Sequence, residues 1–246
     1  MRTRMAVMIC FLAICFVAAA SYAADEAVVV SEGADVFCTV TTCKLDGGKV
    51  YAKIGPSSDW QEINQGQALK TGDSIKTDGS SSFILEFPGG STVSVRPNTE
   101  MTIDEMMWDA AVRKVNLTMG SGELRTIINK VNTPSEFKIK TPTAICGARG
   151  TVFYVKATPT STSIYVGEGS VDIVNPVTGE VYTVVAGMVI MINADGSTPG
   201  PVVATDTDVT GWTGFYTDLV AEPYTPVLGT NANAPENSAE GVLSGR

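Results

Sequence analysis

Histidine is absent from all 246 residues. That removes the Ser-His-Asp and Cys-His nucleophile pairs, imidazole-ligated zinc and the histidine pH switch. Neither a GxxxxGK phosphate cradle nor a GxGxxG dinucleotide turn occurs. Basic residues are scarce, 17 Lys and Arg against 26 Asp and Glu, for a net charge of −9. Nucleic acid and anionic lipid, both held by clustered Lys and Arg, are therefore not expected partners. The acidity also has a plain reading, since net charge away from zero keeps a protein soluble. Paired carboxylates serve glycoside hydrolysis, and Asp73, Asp78 and Glu86 lie close in sequence. Each sits beside turn glycines or on a solvated strand face, so all three read as structural turn residues. The chain is expected to be no enzyme and to bind neither cofactor nor metal.

The one long hydrophobic run, Met5–Ala20, follows Arg2 and Arg4 and precedes Ser21-Tyr22-Ala23. This is the pattern of a secretory signal cleaved between Ala23 and Ala24. The alternative, a retained anchor, is disfavoured because the run falls short of the ~20 apolar residues that span a bilayer. Cys15 follows Ile14 inside the apolar run, not a small residue at the cleavage site, so no lipid is expected. Cleavage removes two of the 17 basic residues and no acidic one, leaving a mature charge of −11. The mature protein is expected to be periplasmic or secreted, with no stable membrane insertion.

Period-two alternation punctuated by turn signals dominates the rest. Phe83, Leu85 and Phe87 alternate with Ser82, Ile84 and Glu86, and Pro88-Gly89-Gly90 turns the chain into Val93 and Val95. Val115, Leu117 and Met119 lead to Gly120-Ser121-Gly122, read as a turn into Leu124, Thr126 and Ile128. Further short strands are marked by Phe137 and Ile139, Ile164 and Val166, Val171 and Ile173, Val181 to Val185, and Met188 to Ile192. So many short strands predict an all-β sandwich, barrel or solenoid. One short helix is predicted near 214–222, where Phe215 and Leu219 share a face, and 223–246 reads as a disordered tail.

Several separate motifs occur in order: Gly66 to Thr77 with Gly72-Asp73, Gly90 to Val93, Pro97-Asn98-Thr99, and Thr141 to Val155 with Gly147-Ala148-Arg149-Gly150. In this order they resemble the FecR domain family, over roughly Gly47 to Ile192. The resemblance implies an elongated β-solenoid-like or two-sheet stack. It divides the chain into a signal peptide (1–23), an N-terminal segment (24–46), a FecR-like β domain (47–200), a C-terminal extension with the helix (201–222) and the tail (223–246). Known members include bacterial sensors of iron-chelate uptake. Those sensors carry a cytoplasmic anti-sigma segment, a membrane helix and a transporter-docking module, of which no counterpart is expected in this chain. The expected role is a non-catalytic binding or scaffold module of the bacterial cell envelope or exterior, its partner an envelope protein or surface polymer. The alternative is a periplasmic sensor subunit in FecR-type signalling linked to iron-chelate or TonB-dependent uptake.

Two side-chain expectations follow. Cys38 and Cys43, with four residues between them in an exported chain, predict a disulfide, two reduced strand cysteines being the other reading, and Cys146 is left as a buried small hydrophobe. Arg149, framed by Gly147 and Gly150, is expected to be partly buried and paired with Glu168 of Gly167-Glu168-Gly169; an anion site is the other reading. Trp60, Trp108 and Trp212 are scattered, and cap the core more readily than they form a sugar platform.

Overall fold

The computed structural model describes residues 36–45, 47–55, 59–130 and 135–213. The expected cleavage site at Ala23 and Ala24, the 214–222 helix and the tail lie outside the described residues. The strands are β1 (Phe37–Leu45), β2 (Val50–Lys53), β3 (Gln61–Ile63), β4 (Ala68–Lys70), β5 (Ser74–Thr77), β6 (Ser81–Glu86), β7 (Thr92–Val95), β8 (Glu100–Trp108), β9 (Arg113–Ile127), β10 (Ser135–Lys140), β11 (Ile145–Ala148), β12 (Val152–Ala157), β13 (Ser161–Glu168), β14 (Ser170–Val174), β15 (Val181–Val185), β16 (Met188–Asn193) and β17 (Val202–Val203). One helix, α1 (Asp206–Thr213), follows. The fold is all-β with a short helix.

The strands pair in two ladders that share β9. The first runs β4-β1-β6-β7-β9-β12-β13-β16-β17. The second runs β3-β2-β5-β8-β9-β10-β11-β14-β15. Every pairing is antiparallel except β9 with β10. Residues 113–121 of β9 pair in the second ladder and 122–127 in the first. The turn expected at Gly120-Ser121-Gly122 is therefore corrected: one strand of 15 residues runs through it and changes ladder. Gly122 makes this possible. Its φ is +123°, and a Cβ there would stand 2.5 Å from the Thr99 Cα.

Alternation places apolar rows on the faces the ladders turn towards a common core. Across the first ladder one row is Cys43, Phe83, Val95, Leu124, Val155, Ile164 and Ile190 in direct register. Across the second it is Ile103, Leu117, Ile139, Cys146, Ile173 and Tyr182. Both rows belong to one apolar cluster. Each large aliphatic or aromatic side chain in it contributes about 1.5–3 kcal/mol by leaving water.

Candidate functional site

The FecR-like motif residues fall at turns and close backbone approaches. Gly72 has φ +92° and donates its N–H to the Ile103 carbonyl at 2.8 Å. Asp73, 1% exposed, accepts from the Gly55 N–H at 2.8 Å and the Lys70 N–H at 2.9 Å, so its carboxylate staples the segment after β2 and the end of β4 to the start of β5. Gly90 has φ +76° in the β6–β7 turn and bonds back to Phe87. Asn98 takes φ 57°, a left-handed conformation Asn tolerates, and its N–H reaches the Asp78 carbonyl at 3.0 Å. Thr141 and Thr143 are buried and both meet the Thr162 hydroxyl, at 2.8 and 2.7 Å, tying the β10–β11 turn to β13.

Gly147 lies in β11, where a Cβ would make only an ordinary contact with the Asp172 carbonyl. Gly150 is buried with φ +63°, against the Lys130 side chain. Gly169, φ +78°, comes close enough that a Cβ would stand 3.1 Å from the Gly150 carbonyl oxygen. The two glycines thus form one tight crossing after β11 and β13. Arg149 and Glu168 beside them are exposed, which corrects the expected burial of Arg149: the glycines bring backbones together and leave its side chain outside.

Among the described residues the buried arginine is Arg125, 4% exposed on β9. It lies in a register row on the outer side of the first ladder, Ile84, Ser94, Arg125, Tyr154, Tyr165, Val189 and Val202. The guanidinium stands 5.9 Å from the Tyr154 ring centre, and Val209 and Trp212 of α1 pack on the same cluster. Burial pushes the Tyr154 hydroxyl up to about 12, partly offset by Arg125. Arg125 escaped the sequence reading because its tyrosine neighbours arrive from strands far along the chain. Arg149→Ala is expected to change stability by no more than about 1 kcal/mol, as for an exposed charge. Arg125→Ala should cost on the order of 3 kcal/mol, as for a buried charged group in a packed cluster. Paired thermal melts against wild type check both.

Cys38, Cys43 and Cys146 are all free, so the expected disulfide is also corrected. Cys38 and Cys43 lie on one extended strand, about 16 Å apart at ~3.3 Å per residue, well beyond the ~7 Å a disulfide tolerates. A bulge between Val40 and Thr42 shifts the alternation, so that both thiols pack on the core despite their odd spacing. Burial pushes Cys38 and Cys146 up to about 12 and also raises Cys43. In native protein Cys38 and Cys146 are expected to resist thiol reagents; in denaturant without reductant all three should label. Mass spectrometry counts the adducts, and one adduct would restore the disulfide.

Among the described residues no group of three or more His, Cys, Asp or Glu side chains is placed to hold a metal ion. No helix among them is long and apolar enough to cross a membrane. Trp60 and Trp108 are half-buried under cations, Lys76 4.4 Å and Arg113 4.8 Å from the respective ring centres. Of the ladder edges, β3 carries Glu62, β4 carries Lys70 and β17 is two residues long beside Pro201. Among the described residues β15 is the one such edge that is longer and uncharged, with Val181 62% and Val185 46% exposed.

These features define an all-β domain whose distinctive residues hold turns and crossings. Residues 73–172 match the family model described as FecR protein, and the chain accordingly carries a FecR domain. Two crystal structures of a candidate anti-sigma factor from Parabacteroides distasonis ATCC 8503, at 1.65 and 2.50 Å, are similar to it. Each is 22% identical with a TM-score of 0.47, covering 56% of this chain and 63% of the other, so the chain spans less than two thirds of that protein. No curated protein matches the chain significantly.

Proposed function

We propose that the chain is a non-catalytic binding or scaffold module of a bacterial cell envelope or exterior, acting through its FecR domain on another protein. The FecR match over 73–172 carries this reading. The chemistry of the described residues supports it. The Cys38 and Cys146 thiols are buried and held protonated at neutral pH, and the Asp73 carboxylate is committed to backbone N–H groups. The uncharged edge of β15 supports it as well, because natural edges are usually guarded by charge, proline or bulges unless they pair with something. The two-sheet stack is our finer reading of the ladders sharing β9.

A second reading, a sensor subunit in FecR-type signalling linked to iron-chelate or TonB-dependent uptake, is favoured by the family match itself. Crosslinking in the native host followed by affinity capture separates the two. A structural envelope protein as the main partner supports the scaffold, and a TonB-dependent receptor or a membrane regulator supports the sensor. Capture of no specific partner would overturn the binding module.

A further inference from the structure

A small cleft opens where the β6–β7 turn, the β8–β9 hairpin and β10 meet. Its apolar wall includes Phe87, Ile128 and Phe137, the two phenylalanine rings meeting edge to face at 5.7 Å. Trp108 stands at one side and lies against Gly89, where a Cβ would come within 2.4 Å of the indole. Only glycine lets the ring lie there. Arg113, the register partner of Trp108, lies over the indole with its guanidinium 4.8 Å from the ring centre. The central space of ≈ 20 Å³ takes one water or the tip of one side chain.

The polar groups here are unusual for so acidic a chain. The Arg113 Nε and the Ser135 Oγ are both buried without a hydrogen-bond partner. Among the described residues Arg113 forms no ion pair, although acids lie nearby. Glu136 lines the cleft but pairs with Lys138 at 2.5 Å, and Glu105 pairs with Lys114 at 2.8 Å. Glu105 and Glu136 are thus each held by a lysine, although the Glu136 Oε1 makes no hydrogen bond of its own, and Asp109 in the β8–β9 turn is committed to the Ala111 and Val112 N–H groups. A planar guanidinium held by a tryptophan, with an N–H unsatisfied, is arranged to receive a carboxylate in two-point fashion.

We propose that this cleft receives an apolar side chain of a partner segment, and that Arg113 takes the carboxylate of the residue beside it. The occupant is an acidic-apolar stretch of another protein. An aliphatic tip fills the small apolar space as an interface anchor does, and its carboxylate supplies the partner that the chain's own acids withhold. This rests on the reading of the chain as a protein-binding module and names where that module grips.

The test is a titration of the full-length isotope-labelled protein, followed by NMR at the Trp108 indole N–H and the amides of Val115 and Phe137. The probe is the blocked tripeptide acetyl-Asp-Leu-Asp-amide, with acetyl-Lys-Leu-Lys-amide and acetyl-Asp-Gly-Asp-amide as controls. Saturable shifts confined to the cleft are expected with the first, and binding roughly five- to tenfold weaker with either control. Arg113→Gln, with its spectrum otherwise unchanged, should lose the preference for the acidic peptide, and Arg113→Lys should retain part of it. Absence of saturable shifts, equal binding of all three peptides, or undiminished binding by a folded Arg113→Gln would overturn the proposal. Affinity capture with the same variant separates this from the wider reading. A partner held equally by wild type and Arg113→Gln removes the cleft and leaves the module, whereas no partner with wild type removes the module.

Discussion

Raising the pH from 9 to 12 is expected to strip most of the stability from this fold. Cys38 and Cys146 have an ordinary thiol value of 9.0 and are pushed up to about 12 by burial. Tyr154 rises from 10.0 to about 12, again through burial. A raised folded value means the native state keeps its proton while the unfolded chain has begun to lose it. The stability tied to each group is complete below its unfolded value and disappears as the pH climbs through the folded one. At about 1.4 kcal/mol per unit, each thiol contributes on the order of 4 kcal/mol and Tyr154 somewhat less. Together they rival the ~5–15 kcal/mol that holds an ordinary domain. Urea midpoints measured from pH 7 to 12 should be level to about pH 9 and then fall steeply. Cys146→Ala should start lower and fall less. A midpoint unchanged at pH 11 would contradict the burial of these groups.

Gly122→Ala is expected to be among the most damaging single substitutions in the chain. It would force a side chain onto φ +123° and set its Cβ 2.5 Å from the Thr99 Cα, a backbone atom that cannot step aside. Thr99 is itself pinned, its N–H donating to the Thr77 hydroxyl and its own hydroxyl accepting from the Glu123 N–H, both at 3.0 Å. Strain and overlap together should cost at least about 3 kcal/mol. Gly120→Ala, two residues earlier, meets nothing within 4 Å and has no positive φ. It should change stability by no more than about 0.5 kcal/mol. Denaturant melts of the pair decide the point, and equal midpoints would mean β9 does not cross between ladders at Gly122.

Alternation made most strands legible, because a half-buried strand must present apolar residues every second position. Phe83 and Leu85, Val93 and Val95, and Phe137 and Ile139 all lie in strands with those side chains in the core. What escaped was set by contacts distant in sequence. Gly120-Ser121-Gly122 carries the chemistry of a turn, and only the approach of Thr99 makes it a bend within one strand. The spacing of Cys38 and Cys43 suits a loop disulfide, but pairing with β4 and β6 keeps the segment extended. Arg149 drew attention through its glycine frame, which serves the backbone crossing. Arg125 has no local mark, since Tyr154 and Tyr165 reach it only through ladder register. The Trp108 cleft was equally hidden, its walls coming from four separate stretches of chain.

The passage of β9 from one ladder to the other bears on how the fold comes apart. Its first part supplies the partner for β8 and β10, and its last part the partner for β7 and β12. Fraying of the outermost strands β3, β4, β15 and β17 leaves this strand untouched, whereas releasing it opens both ladders at their middle. Amide hydrogens along β9 should therefore exchange only when the whole domain opens, in a single cooperative event.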